Sequence, residues 1–187
     1  MKNFIIGFLI TIFATVNAFA DEVMDSSELR AKDGLVYKGE ANLPFTGIMY
    51  NNNEEGEQFG MFTFKDGILH GLVETYWNTE RDVRSRGYAV NGDRSGTIEF
   101  FDKEGRLELI QTFKNDVLHG ASMHFDEKGI LRLVDYYYDN EQHGIEIIFH
   151  ENGKPKTIAN FENGISVGNF KSYHANGNLH FESQSEE

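Results

Sequence analysis

Apolar and polar residues alternate along most of this chain in short runs, and glycine, asparagine or aspartate separates one run from the next. In one such run Leu107, Leu109 and Phe113 keep a period of two, so they share one face of a strand. The runs end at Asn-Gly, Asp-Gly or Asn-Asp pairs, which supply the positive φ angles that tight hairpin turns need. Beyond residue 20 no window keeps apolar residues at the helical period of 3.6 without a glycine inside it. The pattern therefore predicts an all-β chain built of hairpins.

The hairpins repeat with a period of 24 or 25 residues, which is the spacing of the glycines that begin six units: Gly47, Gly71, Gly96, Gly120, Gly144 and Gly168. Offset five from these glycines is aromatic in every unit but the first: Tyr76, Phe101, Phe125, Phe149 and Tyr173. Offset nine is glycine in every unit but the second: Gly56, Gly105, Gly129, Gly153 and Gly177. Offset seventeen is aromatic again: Phe64, Tyr88, Phe113, Tyr137 and Phe161. Three columns in one register predict an elongated, twisted antiparallel meander of about twelve strands, with the aromatic columns packed ring on ring.

The first 20 residues have a different pattern. Lys2 precedes an apolar run from Phe4 to Val16, and Ala18-Phe19-Ala20 is a small-residue cleavage signature. The run is shorter than the roughly 20 apolar residues of a membrane-spanning helix. We therefore interpret residues 1–20 as a cleaved signal peptide, and we expect an exported protein, periplasmic or secreted. The rest divides into an N-terminal segment that covers one sheet edge or stays loose, the repeat domain and a polar tail: residues 21–34, 35–182 and 183–187.

Composition narrows the function classes. The 187 residues include no cysteine, which excludes disulfides, thiolate metal sites, a cysteine nucleophile and a lipid anchor on cysteine. The net charge of −13 argues against nucleic acid or an anionic membrane as the main partner. His70, His119 and His143 precede repeat glycines, but equivalent residues lie two strands apart, about 9.6 Å. Two nitrogens on one zinc ion each lie about 2.0–2.1 Å from it, so we expect neither a metal nor a cofactor.

The unit that begins at Gly71 breaks the repeat. Glu80 replaces the turn glycine, and Asp82 replaces the usual leucine. When the aromatic columns of the units are aligned, one extra residue lies between Tyr88 and Gly96. Next to this break are the only tryptophan and a basic cluster in an otherwise acidic chain. Tryptophan and arginine are enriched in binding hot spots. These residues are the candidate partner-binding site: Trp77, Arg81, Arg84, Arg86 and Arg94.

The unit from Phe161 to Leu179, which reads F-x-N-G-x-x-x-G-x-x-x-x-Y-x-x-x-G-x-L, resembles the bacterial variant of the MORN repeat. The segment from Leu35 to Gly47 resembles the first unit of such proteins, so the resemblance covers about residues 35–182. It implies a β-hairpin array that acts as a scaffold and binding surface rather than as a catalyst. Many bacterial members carry an antitoxin label of the YwqK type, which would imply neutralisation of a protein partner.

These observations favour an exported, non-catalytic module that binds another protein. The first alternative is a carbohydrate-binding or cell-surface-binding array whose exposed aromatic columns stack on sugar rings. The second is an antitoxin-like neutraliser of a protein partner. An enzyme ranks last, because the repeat accounts for nearly all residues and leaves little chain to build a pocket. Whether the rings at offsets five and seventeen are packed or exposed distinguishes the protein-binding module from the sugar-binding array.

Overall fold

The computed structural model describes residues 22–40, 42–53 and 55–183. The predicted signal peptide and the last four residues of the predicted tail therefore lie outside the described residues. Within them the chain forms a 3-10 helix at Ser26–Glu28, no α-helix, and these strands: β1 (Val23–Asp25), β2 (Leu29–Lys32), β3 (Leu35–Lys38), β4 (Gly47–Asn52), β5 (Gln58–Lys65), β6 (Ile68–Tyr76), β7 (Val83–Val90), β8 (Asp93–Arg94), β9 (Gly96–Phe101), β10 (Leu107–Lys114), β11 (Val117–Phe125), β12 (Leu131–Tyr138), β13 (Glu141–Gln142), β14 (Gly144–Phe149), β15 (Pro155–Glu162), β16 (Ile165–Tyr173) and β17 (Leu179–Glu182).

Nearly all of these strands belong to one sheet. From β4 onward, strands that follow one another in the chain also lie side by side and pair antiparallel, with β8 and β13 as short additions beside β7 and β12. β1 pairs parallel with β4 and so covers its outer edge, while β2 and β3 form a separate hairpin. The prediction of an all-β antiparallel meander is confirmed. The N-terminal segment lies against the first edge of the sheet.

The second turn of each hairpin is tied to the preceding unit by a backbone hydrogen bond. The Gly67 N–H donates to Phe45 O at 2.7 Å, and the Gly164 N–H donates to Gln142 O at 2.8 Å. The same bond recurs in the intervening units, where the donors are Gly92, Asp116 and Asn140. Asn115 and Asp116 replace the Asn-Gly pair and still adopt φ of 52° and 65°. Each unit is thereby held by its neighbour, as expected of a repeat array.

The columns of aromatic rings are packed, but not ring on ring. Among the described residues no ring pair joins two members of the offset-five or offset-seventeen columns. Successive members are two strands apart, about 9.6 Å, which exceeds the 4.5–7 Å separation of interacting aromatic rings. The Phe113 ring instead contacts a guanidinium group, that of Arg94, which lies 4.3 Å from the ring centre. The prediction of stacked ring ladders is wrong for this geometric reason.

The extra residue of the second unit lies in its first turn, so its predicted place between Tyr88 and Gly96 is wrong. The Trp77 N–H donates to Asp82 O, five residues on, whereas the Asp102 N–H donates to Arg106 O, four residues on. In this longer turn Arg81, with φ of 64°, provides the left-handed backbone that glycine provides elsewhere.

The longer turn shifts the register of the strand that follows. Gly71 pairs with Ala89, in the way that Gly96 pairs with Phe113, so Tyr88 does not belong to the offset-seventeen column. A one-residue shift moves a side chain to the opposite face of a sheet. Ala89 is accordingly 2% exposed and Tyr88 41% exposed. For the same reason Val83, and not Asp82, is the counterpart of the usual leucine at this position.

A hydrophobic cluster lies where the β2–β3 hairpin meets the sheet. Met24, Phe45 and Phe64 are buried there, and five half-buried residues surround them: Leu29, Val36, Met49, Phe62 and Leu69. The rings of Phe45 and Phe64 are tilted against each other with centres 6.0 Å apart. This N-terminal end therefore has a second layer over the sheet.

Candidate functional site

Trp77 begins the long turn, and a hydrogen bond connects its ring to the next unit. Its indole Nε1–H donates to Phe101 O in the next unit at 3.0 Å, yet 38% of the residue is exposed. The turn behind it is held by Asn78, whose Oδ1 accepts hydrogen bonds from the backbone N–H groups of Glu80 and Asp82. The result is an exposed tryptophan in a defined orientation.

Two cations lie against this ring. The Arg84 guanidinium is 4.8 Å and Lys103 Nζ 5.7 Å from the ring of Trp77, both within cation–π range. We refer to Trp77, Arg84 and Lys103 as the Trp77 group. Arg81, which the sequence also predicts here, instead lies 5.3 Å from the ring of Tyr50. Lys103 belongs to the next unit, and sequence analysis missed it.

The other two predicted arginines are bound within the sheet. Arg86 Nε donates to Glu74 Oε1 at 2.6 Å. Arg94 Nε donates to Asp116 Oδ1 at 2.8 Å, and Arg94 also donates to the backbone O of Asp116 at 3.0 Å. The hydrogen bonds from Arg94 lower the pKa of Asp116. The structure therefore brings Trp77 and Arg84 together, whereas Arg86 and Arg94 connect neighbouring strands and turns.

An open depression adjoins the Trp77 group between the first turns of two units. Its lining is Asn53, Glu57, Gln58, Phe59, Trp77, Asn78 and Thr79. Phe59 is exposed because it is an unpaired bulge residue: Asn51 pairs with Gly60, and Asn52 pairs with Gln58. Bulges commonly redirect a side chain in this way. Two exposed aromatic residues thus line one depression.

A second group, which sequence analysis missed, is a row of polar residues across the middle of the sheet. Gln111 pairs with Ser122, and Ser122 pairs with Asp135. Leu133 pairs with Ile148 and Val134 with Ile147, so the next step along β12 and β14 brings Asp135 opposite Glu146. Ser122 and Asp135 are the buried polar residues of the described chain. The counterparts of Ser122 and Glu146 in the four other units are apolar, namely Met49, Val73, Ile98 and Phe170, and this contrast was the available signal.

The histidines are distributed along the sheet. His119 and His143 flank the ring of Tyr138, with centres 4.8 and 6.0 Å from it. In residues 22–40, 42–53 and 55–183 no three side chains of His, Cys, Asp or Glu converge in a way that could hold a metal ion. The same residues include no helix long and apolar enough to cross a membrane.

The C-terminal units match a known family model. Residues 142–163 and 166–186 match the model described as "MORN repeat variant". These matches support a MORN-repeat protein. MORN repeats are in general protein-interaction or membrane-interaction modules, which is consistent with a non-catalytic repeat scaffold.

Other comparisons add little to the MORN-repeat match. No curated protein matches the chain. Among solved structures, the chain is similar to one titled "Crystal structure of GtfA/B complex bound to UDP and GlcNAc", with 12% identity and a TM-score of 0.29. The similarity covers 62% of this chain and 22% of that one, and at this TM-score it bears on neither fold nor function.

Proposed function

We propose that the protein is an exported, non-catalytic scaffold that binds another protein through the Trp77 group. The observation that carries this proposal is the state of Trp77, which is exposed although its indole N–H is bonded to the next unit. A ring that is already immobilised loses little conformational entropy when a partner covers it. Tryptophan and arginine are also the residues most often found at hot spots.

The charges around the ring favour a partner surface that carries a carboxylate beside an apolar side chain. Arg84 and Lys103 make no ion pair with a carboxylate among the described residues. A partner carboxylate can therefore bind them without breaking an existing pair, while the exposed Phe59 receives the apolar side chain. Export is a separate part of the proposal and is supported by the sequence of residues 1–20.

Packing of the aromatic columns supports protein binding over a sugar-binding array. Phe64, Tyr76 and Phe113 are buried, and the other rings at offset five are half-buried. A ring at such a position cannot offer a full face to a sugar. Antitoxin-like neutralisation would be a special case of protein binding, and the identity of the partner would decide it.

The test is a crosslinking pull-down in which the purified protein is the bait. It is incubated with periplasmic and secreted fractions of the native organism, and the captured proteins are identified by mass spectrometry. We expect one protein to be recovered by wild type and lost with the double variant Trp77→Ala/Arg84→Ala. Lys128→Ala is the matched control, because it removes an exposed cation from an equivalent turn further along the sheet. Circular dichroism verifies that all variants fold.

Equal recovery by wild type and the double variant would refute the Trp77 group as the binding site. Retention on cell wall or polysaccharide without any protein partner would refute the protein-binding function and support the sugar-binding array.

A further inference from the structure

Asp135 is a buried carboxylate with one unsatisfied oxygen. The residue is 5% exposed, and its Oδ2 accepts a hydrogen bond from the Tyr137 hydroxyl at 3.3 Å. Its Oδ1 is buried and has no hydrogen-bond partner. Burial of an unpaired charged oxygen is unfavourable unless something compensates it. The described residues contain no cationic side chain in an ion pair with Asp135.

Glu146 presents a second available oxygen to the same place. It lies opposite Asp135 on the neighbouring strand, where directly facing Cβ atoms are about 4.5–5.5 Å apart. Gln142 Nε2 donates to Glu146 Oε2 at 2.8 Å, which leaves Oε1 without a partner in the described chain. Both carboxylates act on the Tyr137 hydroxyl: burial raises its pKa most, and the charges of Asp135 and Glu146 raise it further.

Neutral oxygens extend the row on the other side of Asp135. Ser122 faces Asp135 and is completely buried, and Gln111 faces Ser122 in turn. The Ser122 hydroxyl is 3.3 Å from Nε2 of His124, and the Gln111 amide makes no side-chain hydrogen bond in the described residues. Ser122 is therefore the neutral oxygen beside Asp135, whereas Gln111, two strands or about 9.6 Å from Asp135, is too distant to share an ion with Glu146.

We propose that Asp135 and Glu146 bind one calcium ion between β12 and β14, with Ser122 as the neighbouring neutral oxygen and water completing the coordination. Calcium accepts six to eight oxygen ligands in irregular geometry, including carboxylates, side-chain carbonyls and water, whereas magnesium requires a near-ideal octahedron. Tyr137 and Gln142 act as positioning residues, since each binds one carboxylate oxygen and leaves the other for the ion. With two carboxylates we expect a dissociation constant of about 10⁻⁴–10⁻³ M, as in extracellular calcium modules.

The experiment measures thermal unfolding of the purified protein in chelator and in calcium chloride, together with terbium luminescence excited through tyrosine. At a free calcium concentration ten times the dissociation constant, calcium should raise Tm by about 3–6 °C. Bound terbium should luminesce, and calcium should displace it and reduce the signal. Tyr137→Phe should reduce the luminescence without abolishing terbium binding. Magnesium should produce a smaller rise in Tm than calcium at equal concentration.

Asp135→Asn gives two changes of opposite sign. In chelator it should raise Tm, because the buried unpaired charge is gone, and it should abolish the rise caused by calcium. Glu146→Gln, at a less buried position, should also abolish the calcium response and weaken terbium binding at least about tenfold. Glu151→Gln is the matched control, because this exposed turn carboxylate has no partner in the described chain, and it should respond as wild type does.

The proposal is overturned if calcium up to 10 mM leaves the Tm of wild type unchanged, or if Asp135→Asn keeps the full calcium response. A rise in Tm with magnesium equal to that with calcium would also refute it. None of these outcomes depends on the Trp77 group. The calcium proposal can therefore be refuted without affecting the partner-binding proposal, and the partner-binding proposal can be refuted without affecting the calcium site.

Discussion

The register after the long turn decides which side chains stabilise the second unit, and two alanine variants can measure it. Phe113 is 8% exposed and lies opposite Gly96, while Tyr88 lies one position away from the equivalent place opposite Gly71. Replacing a buried phenylalanine with alanine costs about 3–5 kcal/mol. Because this sheet is largely a single layer, we expect Phe113→Ala to lower the free energy of unfolding by about 3 kcal/mol.

Tyr88→Ala should cost much less. Its side chain is on the opposite face and exposed, so its removal leaves no buried cavity and loses mainly strand propensity and partial surface contact. These effects together amount to about 1 kcal/mol. The expected difference between the two variants is therefore about 2 kcal/mol, or roughly a thirtyfold difference in the unfolding equilibrium constant.

Urea unfolding, followed both by circular dichroism and by Trp77 fluorescence, gives these free energies. The slopes with denaturant must agree among variants, because repeat arrays can unfold in parts. If the extra residue lay after Tyr88, this tyrosine would occupy the buried column and Tyr88→Ala would cost as much as Phe113→Ala. Equal losses in the two variants would refute the register described above.

Three further predictions concern stability. Burial is the largest cause that raises the pKa of Tyr76 to about 12. The stabilisation by its neutral hydroxyl should therefore be full below pH 10 and lost between pH 10 and 12. Tyr76→Phe should remove this alkaline loss of about 1–2 kcal/mol in the free energy of unfolding, which is seen as a smaller decline in Tm with pH. An alanine Cβ at Gly87 would lie 2.7 Å from Cγ1 of Ile98. Gly87→Ala should therefore lower the free energy of unfolding, measured in urea, by about 1–3 kcal/mol. In a double-mutant cycle, Ile98→Ala should reduce that penalty because it removes the clashing atom. The hydrogen bond from the backbone N–H of Ile130 is the main cause that lowers the pKa of Asp126. The ionised Asp126 carboxylate should therefore stabilise the fold at neutral pH, and this stabilisation should be lost as the pH falls below the ordinary aspartate pKa of about 3.9. Asp126→Ala should accordingly lower Tm at about pH 7 far more than at about pH 2.5.

Local chemistry allowed the fold to be predicted from the sequence. A positive φ is accessible to Asn, Asp and Gly and to few other residues, so the turns at Asp66, Asn91 and Asn163 are identifiable without knowledge of the rest of the chain. The same local rule fails for the extra residue of the second unit. Tyr88 and Ala89 are neighbours, and only the hydrogen bond that closes the turn distinguishes which of them faces Gly71.

The candidate sites could be predicted in part. The composition around the broken repeat correctly brings Trp77 and Arg84 together, because they are close in sequence and flank one turn. It does not show that Arg86 and Arg94 are bound to Glu74 and Asp116, since those contacts cross strands or units. Asp135 was missed because its burial depends on neighbours in two other strands.

The long turn itself explains why a tryptophan can stand at its start. In regular units the first turn residue caps the turn: Asp102 Oδ1 accepts from the N–H groups two and four residues on, and Asp126 does the same. In the second unit the extra residue moves this role to Asn78, which makes the same two bonds. The preceding position is then free of the capping role, and Trp77 occupies it.

A turn exchange tests this role of Asn78 and Trp77. Replacing residues 77–82 with the five-residue sequence of turn 102–106 restores a capping aspartate and removes the tryptophan. Because the hydrogen bonds of the regular turn are all available, Tm should remain within a few degrees of wild type, while recovery of the protein partner should be lost. An exchanged protein that fails to fold would show that the long turn serves the sheet rather than the binding surface. An exchanged protein that folds and still binds would place the partner elsewhere on the array.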